Sequence, residues 1–507
     1  MSDLHLPVPL RAAATLAALL AVMPVLAAEP PLVAQADWSL GGALEQWRLP
    51  AGETMGVTRL ALRRELGPYL SAGVDGYAAV RGSRGGFITL GVGAEARYPL
   101  GEALSLEAGL AVAAGGGRGG YSLAGGGLML RESLGLRYAL AAHDSVDLGV
   151  SRVDFPNGGQ IDSTQAYVGY RHAFSSLYVP AGGGGTPLGA AAGGAALPQQ
   201  PGLFVQWLAA ERGAHQDSGG PQGDLGLVGA AWQTALGAGT FLRLEAAGAA
   251  SGSSSGYMEI LAGLGYRYPL TSRMALEGAA SVGAGGGGGV DSGGGLLLQA
   301  AAGLELRVTR RDVVALEAAR LKAASGSFGA QGLTLRAAHR FGPDEDVAAD
   351  APREPVEHTV RVRIADQQYR GASPAWSSRP NREFGTLGVQ ADYFVSPGLF
   401  LTGQGLSAYS GRNGAYMIGL VGAGGHLPLA AHLYAELELL AGAAGGGGVQ
   451  VGSGAVGQLN ASLGYRATNG LGVQLSLGRL AARRGGFAAD VAGLSFGWQG
   501  DLLAFGN

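Results

Sequence analysis

Cysteine is absent from the 507 residues. That removes disulfides, thiolate zinc sites, c-type haem attachment and cysteine nucleophiles together. Charge is sparse: 35 Lys plus Arg against 38 Asp plus Glu leave a net charge of −3. No positive excess is available to grip a phosphate backbone, so nucleic acid is not an expected partner. The 8 histidines are scattered, with no pair four residues apart, and no transition-metal site stands out. Beyond Glu29 no apolar run approaches the ~20 residues of a spanning helix, because Gly, Glu and Arg interrupt each one. What remains is a chain with 93 glycines and 47% hydrophobic residues. Disorder is excluded by the recurring apolar residues, and collagen by the lack of a three-residue glycine period.

The N-terminus carries an export address. Arg11 precedes an apolar run from Ala12 to Leu26, then small residues at Ala27 and Ala28. This predicts a signal peptide over 1–28, cleaved near Ala27 or Ala28, and a mature protein that crosses a membrane only as strands.

The strongest internal signal is a threefold repeat. Adding 170 and then 159 carries Arg97-Tyr98-Pro99-Leu100 onto Arg267-Tyr268-Pro269-Leu270 and His426-Leu427-Pro428-Leu429. The same offsets relate Glu107, Glu277 and Glu436, then Arg137, Arg307 and Arg466, then Phe87, Tyr257 and Tyr416. The expected organisation is β repeat 1 over 37–174, an Ala/Gly/Pro linker over 175–201, and β repeat 2 over 202–341. An acidic linker over 342–357, β repeat 3 over 358–499 and a C-terminal tail over 500–507 follow. The Asp344 to Asp346 cluster reads as linker, since it lacks the glycine and spaced ligands of a calcium loop.

Within each unit the period is two. Ile88, Leu90, Val92, Ala94, Ala96 and Tyr98 alternate with Phe87, Thr89, Gly91, Gly93, Glu95 and Arg97, the pattern of a strand with one apolar face. Counting such segments gives about eight strands per unit and about twenty-four in all, each of the ~10 residues that a tilted membrane strand needs. Short turns such as Leu66-Gly67-Pro68 alternate with longer Gly-rich loops, which places the loops outside the cell if both termini are periplasmic. Leu90 is expected to face lipid and Thr89 the interior. Arg320 and Arg479 fall on the apolar parity, which predicts either a bulge or snorkelling at the membrane edge.

The signal peptide, the alternating strands and the closing segment Gly493-Leu494-Ser495-Phe496-Gly497-Trp498 resemble bacterial outer-membrane β-barrel proteins. The resemblance implies an all-β, transmembrane antiparallel barrel in the outer membrane. It also implies that Gly493, Phe496 and Trp498 act as a signal read by the barrel-assembly machinery. One 24-stranded barrel is the favoured arrangement and three tandem 8-stranded barrels the alternative.

The most organised polar feature is Arg97, Glu107 and Arg137, repeated as Arg267, Glu277 and Arg307 and as His426, Glu436 and Arg466. All nine fall on the inward parity, either as salt-bridged struts between strands or as a selectivity element of a pore. The glycine runs 115–117, 285–289 and 445–448 lack the Lys-Ser/Thr ending of a phosphate cradle, so no cofactor is expected. Their recurrence at one position of each repeat points to close backbone approach or a mobile loop. Gly252-Ser253-Ser254-Ser255-Gly256 spells a hydrolase elbow but lies between two expected strands, where that elbow needs a helix. The leading expectation is a non-enzymatic passive pore or export conduit, its solute or exported polymer unidentified and lipid its surrounding partner. The alternatives are a structural or adhesive protein of filled small barrels, a lipid-modifying enzyme using His172 or His339, and a soluble β protein.

Overall fold

Alternation with period two, punctuated by glycine turns, gives an almost purely β molecule. A computed structural model describes residues 32–179, 186–187, 199–340, 354–371, 376–378 and 382–506. The expected signal peptide and most of both expected linkers lie outside them. The first unit contains β1 Leu32–Arg48, β2 Thr54–Glu65, β3 Leu70–Arg81, β4 Ile88–Pro99, β5 Leu104–Gly116, β6 Leu128–Ala139, β7 Asp144–Asp154 and β8 Asp162–Val179. A one-turn helix, α1 Gly120–Ala124, lies in the β5–β6 loop, and a two-residue strand, β9 Thr186–Pro187, pairs with the start of β1. The second contains β10 Gln199–Ala210, β11 Leu225–Gly237, β12 Thr240–Gly252, β13 Met258–Pro269, β14 Met274–Gly286, β15 Leu296–Arg307, β16 Asp312–Ala323 and β17 Gly329–His339. The third contains β18 Glu354–Gly371, β19 Glu383–Ser396, β20 Leu399–Ala408, β21 Met417–Pro428, β22 Leu433–Gly445, β23 Ala455–Arg466, β24 Leu471–Ala482 and β25 Ala488–Gly506.

Each unit closes on itself. β1 pairs with β8 (Leu44↔Val168), β10 with β17 (Val205↔Leu335) and β18 with β25 (Ile364↔Phe496), every neighbour antiparallel. The expected twenty-four strands and three repeats are present, arranged as three 8-stranded barrels and not as one wide barrel. The physical reason is local. Eight strands enclose a space just wide enough for side chains to fill, and these units carry the large inward residues to fill it. The chain past Gln499, expected as a tail, continues β25 against β18 as far as Gly506. Residues 175–179, 199–201 and 354–357, expected in linkers, likewise belong to β8, β10 and β18.

The three barrels form a ring with approximate threefold symmetry. The second long loop of each packs against the third long loop of the next. Gly85 donates its amide to Gly293 O at 2.9 Å, and a Cβ on Gly86 would lie 2.3 Å from Gly287 N. A Cβ on Gly445 would lie 2.3 Å from Gly256 N, and one on Gly414 2.3 Å from Gly125 O. These contacts link barrels 1 and 2, 2 and 3, and 3 and 1, a head-to-tail contact that closes. The recurring glycines therefore serve close backbone approach. Under the loops, the repeat-equivalent Ile88 and Met417 join Ala78 and Ala284 in a buried cluster, with Met258, Leu90, Val80 and Ile260 packed on it. At the turn side β25 pairs with β8 through Asp501↔Val179 and Leu502↔Tyr178, a second link between barrels 3 and 1. Replacing Gly86 by Val is expected to open the loop contact, since the backbone there has φ +81° and has no room for a side chain. Hydrogen exchange at the Gly85 amide should accelerate about tenfold, for ~1.4 kcal/mol of lost protection.

Outward parity carries an apolar belt, and Tyr69, Tyr98, Tyr138, Tyr170 and Tyr268 are exposed at its turn-side edge. Leu90 has the outward parity but packs into the junction between barrels, while Thr89 is fully buried in the wall of barrel 1. The clean test of lipid facing is therefore Leu477, 71% exposed near the middle of β24. Leu477→Arg should cost ~2–4 kcal/mol in detergent-micelle unfolding and reduce assembly. Arg320 and Arg479 sit in unbroken registers and are exposed on the outer wall, so no bulge accounts for their parity.

Candidate functional site: the barrel interiors

Inward parity places charge in the turn-side half of each interior and apolar side chains in the loop-side half. In barrel 1 Arg59 reaches Asp75 at 3.0 Å and Glu95 at 2.6 Å, and Arg63 holds Asp75 at 2.6 Å. Arg171 joins Glu95 at 2.7 Å to Asp147 at 3.2 Å. Deeper in, Arg131 pairs with Glu45 at 2.6 Å, and that carboxylate also accepts from Trp47, Ser151 and Gln165. In barrel 2 Arg243 and Arg336 are clamped between Glu277 and Glu317 at 2.6–3.1 Å. Barrel 3 repeats the device with Arg361 on Asp392 and Glu436, at 2.6 and 2.8 Å, and Arg363 on Asp392 and Glu438, at 2.9 and 3.0 Å. All these groups are buried, so each charge depends on its partner for solvation.

Above each network lies an aromatic plug. Trp47, Tyr77, Phe87 and Phe155 fill barrel 1, with ring centroids 5.9–6.4 Å apart. Tyr257 meets Phe328 at 5.5 Å in barrel 2. Trp376 stacks on Phe384 at 5.5 Å and on Phe487 at 5.9 Å in barrel 3, beside Tyr416 and Tyr369. The repeat-equivalent Phe87, Tyr257 and Tyr416 thus occupy one structural position, at the start of the fourth strand of each barrel.

The nine expected lumen residues do not share one environment. Glu107, Glu277 and Glu436 are buried. Arg137 stands 2.5 Å from Glu107, off the hydrogen-bonding direction of that nitrogen, and bonds Asp147 at 3.1 Å. Arg267 lies 2.7 Å from Glu277 and His426 Nδ1 2.7 Å from Glu436. Arg97 is half-exposed at the turn-side mouth, 3.6 Å from Glu65. Arg307 ends β15 near Arg340. Arg466 lines a recess at the turn-side mouth of barrel 3 with Arg361, Arg363 and Gln474. Missed in the sequence were the residues that knit each network across the barrel: Arg59, Arg63, Asp75 and Arg171, then Arg243, Glu317 and Arg336, then Arg361, Arg363, Asp392 and Glu438. Their inward parity was readable, but their partners lie on strands far apart in sequence.

Of the proposed assembly signal, Gly493 lies on β25 against Ser476, Phe496 is exposed on the outer wall, and Trp498 meets Tyr178 at 5.8 Å with Arg64 5.4 Å from its ring. His172 stands opposite Asp144 at the turn-side start of β7 and His339 ends β17, each with Nδ1 on an aspartate, Asp144 at 2.9 Å and Asp312 at 2.7 Å. Ser254 is buried in the β12–β13 loop, where it accepts from Gln222 at 3.0 Å. In the loops that join barrels, Arg118 reaches Asp217 at 3.0 Å. Burial pushes the Asp217 carboxyl up against the pull of that guanidinium. Hydrogen bonds from Arg84 and Ser83 hold the Glu53 carboxyl below the usual range.

No protein-family model matches the chain, and no curated protein matches it. Solved structures that it resembles include the ferric enterobactin receptor of Pseudomonas aeruginosa, at 11% identity and TM-score 0.30, covering 92% of this chain and 81% of that one. OccAB3 of Acinetobacter baumannii is similar at 11% identity and TM-score 0.23, over 92% and 99% of the two chains. OpdQ of Pseudomonas aeruginosa is similar at 11% and TM-score 0.21, over 93% and 97%. Strand closure and the outward apolar belt give this chain the architecture of closed antiparallel β-barrels with an apolar outer wall.

Proposed function

We propose that this chain is a non-enzymatic structural protein of the outer membrane, a single-chain ring of three filled barrels that presents a joined loop surface outside the cell, fit for adhesion or scaffolding. The observation that carries this reading is the interior of each barrel, occupied at the turn side by paired charges and at the loop side by aromatic rings. Filled small barrels leave no water column for a solute. The exposed leucines of the outer wall favour lipid over a soluble form, because a soluble protein rarely exposes a continuous apolar surface of this extent. In this reading the barrel-assembly machinery recognises Gly493, Phe496 and Trp498, and the nine lumen residues act mainly as struts. A passive pore or export conduit is the second reading, favoured by the recess at the turn-side mouth of barrel 3. Single-channel recording on the purified full chain in planar bilayers separates the two. The structural reading expects no steady conductance, and discrete, reproducible steps that persist in high salt would overturn it in favour of the pore.

A further inference from the structure

The outer wall of this ring is not uniform at its loop-side rim. In β16 Arg320 and Lys322 flank the fully buried Leu321 and so both point outward. Arg320 is 66% exposed, 3.0 Å from Glu211, and Arg212 beside it is exposed as well. The next carboxylate, Asp224, is turned to the Ala210 amide at 3.1 Å. In β24 Arg479 precedes the buried Leu480 and is 61% exposed, 3.0 Å from Asp490, with exposed Arg483 and Arg484 following. Arg370 stands opposite Asp490 on β18, itself opposite Glu383 on β19. Both patches therefore hold more cations than anions. Directly toward the turn side lie exposed Leu316, Leu333 and Leu335 in barrel 2, and Leu475, Leu477 and Leu494 in barrel 3. In barrel 1 the same place in the strand register, eight residues after the aspartate that opens the strand, is held by Arg152, but carboxylates surround it: Asp162 at 3.1 Å, with Asp154 and Glu132 near enough to act on it.

We propose that the loop-side rims of barrels 2 and 3, at Arg320/Lys322 and Arg479/Arg483, bind a membrane lipid whose phosphate headgroup carries a net negative charge, its acyl chains lying on the leucines below. The inference rests on the membrane reading above. Guanidinium and ammonium groups at the edge of an apolar wall match a phosphate at the edge of an acyl chain in charge and in order along the strand. The acidic surroundings of Arg152 repel that headgroup, which makes barrel 1 an internal control within the same molecule.

The test uses the full chain in neutral detergent, titrated with dihexanoyl phosphatidate or dihexanoyl phosphatidylcholine and read by native mass spectrometry. Phosphatidate should bind more tightly than phosphatidylcholine, and inorganic phosphate at equal concentration should not displace it. Juxtamembrane cations contribute about fivefold each in affinity for anionic lipid. Arg320→Ser with Lys322→Ser should thus weaken phosphatidate at one site about 25-fold, and Arg479→Ser with Arg483→Ser should do the same at a second. Arg152→Ser should leave binding unchanged. All these positions are exposed, and heat-modifiable gel mobility checks that each variant folds. Equal binding of the two lipids, displacement by inorganic phosphate, or an equal loss in Arg152→Ser would overturn the proposal. Recovery of the chain as a water-soluble species without detergent is a different failure: it removes the membrane reading and this inference with it.

Discussion

Arg243→Met is expected to destabilise barrel 2 by ~3–5 kcal/mol, because it removes a buried cation that Glu277 and Glu317 share. The Arg243 side chain is 2% exposed, lies 2.9 Å from Glu317 and 3.1 Å from Glu277, and stacks 5.3 Å from the ring of Phe241. Methionine keeps much of the packing volume, so the loss measures the charge. After the substitution only Arg336 stays within bonding distance of both acids. Adding Glu317→Gln should recover much of the loss, since a neutral amide no longer needs the missing cation. For contrast, Arg320→Ala on the exposed wall should cost no more than about 1 kcal/mol. Urea unfolding of the full chain in detergent micelles, followed by tryptophan fluorescence and gel mobility, reads all three variants. A cost for Arg243→Met within about 1 kcal/mol of zero would mean that water reaches the network, and would favour the conducting reading.

Inward and outward parity were legible because a strand has period two, and most positions chosen by that rule lie where it put them: Glu107 and Glu277 are buried, Tyr98 and Tyr268 exposed. The threefold repeat was legible because the units keep equal spacing from Phe87 to Glu107 and their counterparts, but the longer third loop of the first unit shifts the register after it, so that Arg137 corresponds to Glu305 and not to Arg307. Closure was not. Whether β8 pairs with β1 or with a strand of the next unit is a contest between backbone edges that carry no sequence label, and both solutions show the same alternation. The glycine runs were seen as a recurring structural need, but their partner is another barrel's glycine loop, which cannot be named before closure is known. Leu90 was misplaced for the same reason. Its parity is outward, yet outward at that strand means toward barrels 2 and 3.

Residues 199–340, exported behind a signal peptide, should fold alone into a compact barrel that resists protease and shifts on heating. The favoured single-barrel arrangement would predict the opposite outcome, since an arc of eight strands has two unpaired edges whose backbone groups lipid cannot hydrate. Closure by β10 and β17 removes those edges through nine registered pairs, from Gly202↔Ala338 to Ala210↔Ala330. Its interior is self-sufficient too, as Arg243, Arg267 and Arg336 find Glu277, Glu305 and Glu317 within the same unit. What the lone barrel loses is its loop contacts, including the Gly85 to Gly293 hydrogen bond and the close approach of Gly256 to Gly445. Loop-side amides should therefore exchange faster than in the full chain, while the strand amides keep their protection. Aggregation or degradation of the lone unit, with the full chain folding normally, would show that the ring contacts are needed for closure itself.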